Sequence, residues 1–239
     1  MERRTFQLPK WQYDELQQIG IDFGSDQEVE TYDSYMNNIR SIEQEIRQAL
    51  ESINLQSDHT LLEIGTGTAE LAIAAARQCN KVIAIDISSS MLDYAKRKAK
   101  RLGVHNIEFY LGGFLSFAGA GRSLDAVVTQ NALHHLPDTW KMIALTRIYD
   151  MLKTGGKFYL KDVIYSFDIQ NYNVFFSNLV DAHKYFHGDK AEEIALSFIK
   201  EEYPTLDWIM DGMLRRAGFA IESVEHFEGF TSTFVCVKK

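Results

Sequence analysis

The chain has 239 residues, 46% hydrophobic and 24% charged, which suits an ordinary globular protein with room for one large α/β domain and a cap. Its formal net charge of -8 argues against nucleic acid as the main partner, because phosphate binding rests on Lys and Arg. Two cysteines without metal-type spacing, no apolar signal segment, and no run near the ~18 apolar residues of a membrane span predict a cytoplasmic protein without disulfides, signal or anchor.

Residues 1–25 are mixed and aromatic, with Trp11, Tyr13 and Phe23. A helix reads from about Asp26 to Ser52, with Val29, Tyr32, Met36, Ile39, Ile46 and Leu50 on one face. From residue 58 the chain alternates. "TLLEIG" reads as a strand and "AELAIAAARQC" as a helix; "KVIAIDIS" is a strand, and "SSMLDYAKRKAKRLG" is a helix from serine caps to Gly103. "NIEFYLGG" and "LDAVVTQNA" are strands, "DTWKMIALTRIYDML" a helix, and "KFYLKDVIY" a strand. This rhythm predicts a mostly parallel sheet with helices on both faces. Residues 166–205 read as helical and aromatic. "PTLDWIMDGMLRRAGF" is a helix, and "AIESVEHFEGF" with "TSTFVCVKK" reads as a hairpin. The basic run 96–101 reads as a solvated helix face.

"LLEIGTGTAELA", residues 61–72, carries the first chemistry. A strand ending in Gly65 and Gly67 before a helix lets backbone approach a ligand closely, and the helix start adds free N–H groups. A dinucleotide fingerprint would put a third glycine at position 70, where this chain has Glu70, which disfavours a pyrophosphate. Glu63 ends the strand, and Asp86 ends the next one, 19 residues past Gly67. An acid at that place accepts ribose hydroxyls. A ligand with an amino group for Glu63 and a ribose for Asp86, but no phosphate, matches S-adenosylmethionine.

The chain resembles a class I S-adenosylmethionine-dependent methyltransferase of the small-molecule type. The resemblance runs from about residue 58 to 162, through "LLEIGTGTAELA", "VIAIDISSSML", "IEFYLGGFLSF", "LDAVVTQNALHHLPD" and "MLKTGGKFYLKD" in order. It implies a Rossmann-like seven-stranded, mostly parallel sheet whose last strand is antiparallel. Residues 1–57 are expected to form an N-terminal helical cap and 58–239 the methyltransferase domain, and the aromatic segment 166–205, inserted after strand five at the carboxyl edge of the sheet, reads as a helical lid. Glu63, Gly65, Thr66, Gly67 and Thr68 would line the methionyl part, Asp86 the ribose, and Ile87 and Met91 the adenine. Gln130 and Asn131 follow strand four, where relatives contact the methionyl group. Tyr32 and Tyr35, beside Arg40 in the N-terminal region, are candidates for its carboxylate.

Two positions depart from the family's pattern. Ala69 replaces a frequent third loop glycine. Gly113 stands where many relatives carry an acid that accepts the adenine amino group, so that hydrogen bond must come from elsewhere, with Phe114 packing on the adenine edge. His135 and Asp162, at the ends of strands four and five, are the base candidates, and Phe176, His183 and Tyr185 are expected to line the acceptor pocket. His183 and His187 are four residues apart, but no carboxylate pattern completes a metal site, so none is expected. The implied function is methyl transfer to a small-molecule acceptor. The alternatives are a nicotinamide-dependent oxidoreductase and a non-catalytic cofactor-binding protein on the same fold.

Overall fold

The computed structural model describes residues 9–17, 19, 26–118, 121 and 123–239, apart from the side chains of 26–28. Phe23 lies outside these described residues. Eight strands form one sheet: β1 (Thr60–Ile64), β2 (Lys81–Asp86), β3 (Ile107–Leu111), β4 (Leu124–Gln130), β5 (Leu152–Tyr165), the two-residue β6 (Thr205–Leu206), β7 (Phe219–Phe227) and β8 (Thr231–Lys238). The order is β3-β2-β1-β4-β5-β8-β7, with β6 pairing β5 off this path. Strands β1 to β5 run parallel to one another. The chain's last strand, β8, slots antiparallel between β5 and β7. The seven-stranded expectation thus holds for the main path, and β6 is an addition.

Alternation along the strands builds two cores. Leu62, Ile64, Val127, Phe158 and Leu160 face one side and pack with Leu145 and Ile148 of α5 (Asp138–Met151) and Met210 and Leu214 of α8 (Asp207–Arg216). Leu61, Val82, Ala84, Ala126 and Val128 face the other. They pack with α3 (Glu70–Ala76), with Ala95 and Ala99 of α4 (Ser89–Arg101), and with Ala49 and Leu50 before β1. The Ser88 side chain caps α4 by accepting the Met91 N–H at 3.3 Å, as the serines predict.

The single helix read over 26–52 is two: α1 (Asp26–Ile39) and α2 (Ile42–Ser52). Ser41 leaves helical geometry at ψ 87, and Arg40 bridges the break to Glu45 at 3.1 Å. The break lets α2 pack on the sheet while α1 turns toward the loop after β1. The basic run on α4 is also not uniformly solvated. Lys98 is buried and pairs with Asp33 of α1 and Glu70 of α3, so three helices meet at one ammonium. Residues 166–205 contain α6 (Tyr172–His187) and α7 (Asp189–Lys200), which pack on each other. Among the described residues, no helix is long and apolar enough to cross a membrane.

Candidate functional site

Strand order reverses between β1 and β4, so the loops at their carboxyl ends diverge and leave a crevice. A cavity opens there. It is lined by Glu63–Thr68 at the end of β1 and beyond, Asp86–Ser88 at the end of β2, Gly112–Phe114 after β3 and Gln130–Ala132 at the end of β4. The chain makes both central loops tight by left-handed backbone. Gly65 has φ 76, and a Cβ there would come within 2.6 Å of the Ala132 Cβ, so this position needs glycine for both shape and contact. Ala69, at φ 64, takes the same conformation without a glycine's freedom, and Asn131 does so at φ 51.

Asp86 organises the first loop. Its carboxylate accepts the Gly67 N–H at 2.7 Å and the Ser88 N–H at 2.8 Å, one on each oxygen. Each oxygen keeps a lone pair for a ligand hydroxyl. Burial pushes this carboxyl up, against the pull of the backbone N–H groups. Glu63 is more extreme: burial raises it to about 8, although the Thr66 hydroxyl donates to it at 2.6 Å. It has no cationic partner among the described residues.

Three of the other acids on the wall are already paired with cations. Asp33 and Glu70 share Lys98, and Glu45 holds Arg40 and Lys161. Glu70, at the dinucleotide fingerprint's third glycine, is therefore anchored by an ion pair beside the loop. Arg40 lines the cavity with its Nε buried and unpartnered, next to Tyr32. An orphan guanidinium N–H suits a ligand carboxylate. With Glu63 for an ammonium and Asp86 for a diol, the donor set fits an amino acid joined to a nucleoside. Among the described wall residues, Arg40 is the sole arginine and there is no lysine, so a pyrophosphate would meet one side-chain cation and several carboxylates.

Gly65, Thr66, Gly67, Thr68, Ile87, Met91, Gly113, Phe114, Gln130, Asn131, Tyr32 and His135 all line this cavity with Glu63 and Asp86. Five candidates lie elsewhere. Tyr35 is not on the wall; Lys190 of α7 sits 5.0 Å over its ring. Asp162 is 1% exposed and faces inward, accepting N–H groups of Leu133 and Val163, each at 2.7 Å, and pairing with His134 Nδ1. Phe176 packs with Tyr165, Phe167 and Phe175 in an aromatic cluster. His183 Nδ1 lies 2.8 Å from the Leu179 carbonyl of its own helix, and Tyr185 is 83% exposed.

His134 and His135 divide their work. His134 is buried between Asp162 and Glu202, whose Oε2 lies 3.0 Å from Nε2. Burial alone would lower its pKa, but the two carboxylates outweigh burial and push it up to about 9. His135 is pushed down to about 4, by burial and then by the charge on His134. His134, His135 and Glu202 offer ligand atoms within 4.8 Å of one another, a group that sequence spacing did not reveal. The imidazolium of His134 already balances Glu202 there. Sequence reasoning also missed Glu15, which lines the cavity from the N-terminal segment.

A family model described as "Methyltransferase domain" matches residues 61–156. The chain is 30% identical over 156 residues to an uncharacterized methyltransferase of Bacillus mycoides, covering 62% of this chain and 70% of that one. It is 32% identical over 132 residues to a demethylmenaquinone methyltransferase of Oceanobacillus iheyensis, where it spans about half of that protein's length (54%) and 53% of its own. A solved S-adenosylmethionine-dependent methyltransferase from Aquifex aeolicus shares the fold, with a TM-score of 0.62 at 16% identity over 90% of this chain and 99% of that one. The chain belongs to the methyltransferase family of the class I, S-adenosylmethionine-dependent type.

Proposed function

We infer that this protein binds S-adenosylmethionine across the β1–β4 crevice and transfers its methyl group to a small-molecule acceptor. The observation that carries this is one cavity that brings together Glu63 at the end of β1 and Asp86 at the end of β2, both without a cationic partner among the described residues, and the orphan guanidinium N–H of Arg40. When bound, the cofactor supplies a methyl carbon made electrophilic by a sulfonium. The chain's own task is to place the acceptor in line and to exclude water.

Glu63 holds the ammonium, Arg40 with Tyr32 the carboxylate, and Asp86 the ribose. Gly65, Gly67, Thr66, Thr68, Gln130 and Asn131 surround the methionyl part, and Ile87, Met91, Gly113 and Phe114 the adenine. His135 is neutral at pH 7 and on the wall, so it accepts a hydrogen bond from an acceptor hydroxyl or amine and orients it. Its low pKa makes it a weak proton acceptor. Asp162 acts at one remove, as a positioning residue: it keeps His134 charged and fixes the turn that presents His135. The helices α6 and α7, with Phe176, His183 and Tyr185, form the acceptor-side cover. The chemistry supports methyl transfer over hydride transfer, because a nicotinamide dinucleotide would bring a pyrophosphate to a wall with one guanidinium and several carboxylates.

Calorimetry with S-adenosylmethionine, S-adenosylhomocysteine and NAD tests the reading. Binding of the first two but not the third is expected, followed by S-adenosylhomocysteine release in a turnover screen of small-molecule acceptors. Binding of NAD alone would overturn it. Cofactor binding without turnover on any acceptor would favour the non-catalytic alternative.

A further inference from the structure

Three carboxylates on the cavity wall, Glu15, Glu63 and Asp86, have no cationic partner among the described residues. Glu63 and Asp86 are matched above to an ammonium and a diol. Glu15 remains, and nothing in the family's strand-and-loop motifs accounts for it.

Its placement is specific. Glu15 sits in the N-terminal segment, about a hundred residues from its contacts. It is 7% exposed. Its carboxylate accepts the Leu115 N–H at 2.9 Å and 3.0 Å and the Ser116 N–H at 2.6 Å, in the turn after β3. A Cβ built on Gly113 would fall 2.6 Å from Glu15 Oε2. The Glu15 carboxylate therefore occupies the space that a side chain at position 113 would take. The segment around it is fastened on the same side: Tyr13 donates to the His135 carbonyl at 3.3 Å, and Trp11 stacks on Trp140 with centroids 6.4 Å apart.

Oε1 takes the Ser116 N–H and a share of the Leu115 N–H, while Oε2 takes only the other share. A carboxylate offers about four lone-pair positions, so Oε2 has capacity left. It stands beside Gly113 at the turn after β3, two strands across the sheet from β1, which carries Glu63. A ligand whose ribose is held at Asp86 extends its base along Ile87 and Met91 toward this corner. The base edge there needs an acceptor if it carries an amino group.

We propose that Glu15 reads the 6-amino group of the cofactor's purine, supplying from the N-terminal segment the carboxylate that position 113 lacks. The proposal rests on the cofactor reading above. It makes the segment around residues 11–17 part of the nucleoside site, and makes Glu15 a determinant of base selectivity. A buried acceptor left facing a 6-oxo group would lose a hydrogen bond and gain a repulsion, which is why such a site rejects the deaminated base.

The test is calorimetry of the full chain with S-adenosylhomocysteine and S-inosylhomocysteine. The wild type is expected to favour the adenosyl ligand by at least about tenfold. Glu15→Gln presents an amide N–H₂ to the base edge, and is expected to shrink that preference by at least about tenfold or invert it. Gly113→Ala puts a Cβ into the space that Oε2 occupies and so must push the Glu15 carboxylate out of position, and it is expected to shrink the preference too. A wild-type ratio near one, or an unchanged ratio in a Glu15→Gln protein that melts cooperatively, overturns the proposal and returns Glu15 to fastening the segment. Should Glu15→Gln not fold, the wild-type and Gly113→Ala ratios decide. If the wild type binds neither ligand, the cofactor reading fails first; if it binds both equally, that reading stands and only this proposal falls.

Discussion

The rings of His134 and His135 lie with centroids 4.2 Å apart, yet they are held on opposite sides of neutrality. Asp162 and Glu202 keep the first charged to about pH 9, and that charge helps keep the second neutral down to about pH 4. Adjacent histidines at the end of β4 are thus one device: a fixed imidazolium behind a neutral imidazole. His134→Gln removes the charge, so the His135 pKa is expected to rise from about 4 toward the ordinary 6.5, read by NMR titration of its ring protons. An unmoved His135 would show that burial alone sets it.

His134 and its two carboxylates, Asp162 and Glu202, also set a pH dependence of stability. His134 has a folded pKa above its unfolded value, so its contribution is full below about 6.5 and is lost as pH rises through about 9. Wild type minus His134→Gln, by urea unfolding between pH 6 and 9.5, should shrink along that window. Asp162→Ala leaves an imidazolium with one buried partner fewer and is expected to cost about 3–5 kcal/mol. A loss under 1 kcal/mol would mean that Asp162 does not anchor the turn.

Glu63 predicts a proton released on cofactor binding. Its folded pKa of about 8 lies above 4.5, so its contribution to apo stability is full below about 4.5 and is lost as pH rises through about 8. At pH 7 the apo carboxyl is mostly protonated. A ligand ammonium favours the ionised form, so binding should expel close to one proton at pH 7. Calorimetry in two buffers of different ionisation enthalpy measures this directly. No difference between buffers would remove Glu63 from the ammonium. Glu63→Gln should bind weakly and without proton release.

What the sequence could tell followed from locality. The glycine turn, Asp86, the Ser88 cap and the strand rhythm are all encoded within a few residues, and periodicity plus turn chemistry reads them. Residues whose partners are distant in the chain were harder. Lys98 looked like one more lysine on a wet helix face because Asp33 and Glu70 lie 65 and 28 residues away. Glu15 meets Leu115 across 100 residues and has no local motif. The α1–α2 break was hidden because the apolar spacing continues in step through Arg40 and Ser41. Asp162 reads as a base candidate from its place near the end of strand five, but β5 continues to Tyr165, and the Leu133 and Val163 N–H groups and the His134 ring take its carboxylate inside.

The α6 aromatics divide by burial, and the cover predicts how. Tyr185 and Phe186 are 83% and 72% exposed and touch each other edge to face. Tyr185→Ala should leave melting and cofactor affinity within ~0.5 kcal/mol of wild type. Phe176→Ser breaks into the cluster with Tyr165 and Phe167 and should cost about 1–3 kcal/mol of stability. Cofactor affinity should survive both, since neither residue is on the cavity wall, while methyl transfer falls. Loss of cofactor binding in either folded variant would place these rings in the core of the cofactor site and end the cover reading.

Arg40 gives the sharpest test of ligand orientation. Its Nη1 is spent on Glu45 at 3.1 Å, and its Nε is buried with no partner. If that N–H awaits a carboxylate, its value appears only with ligands that have one. S-adenosylhomocysteine carries the amino-acid tail; 5′-methylthioadenosine has the same thioether nucleoside without it. Arg40→Ala removes a charge-assisted hydrogen bond, about 1.5–3 kcal/mol, from the first ligand and nothing from the second. The affinity ratio of the two ligands should therefore fall by about tenfold or more. A parallel loss for both ligands would mean that Arg40 serves only to hold α1 and α2 together. Because Arg40→Ala also frees Glu45, the control is Glu45→Gln, which keeps the guanidinium and should preserve the ratio. Agreement of the two variants would sink the carboxylate role.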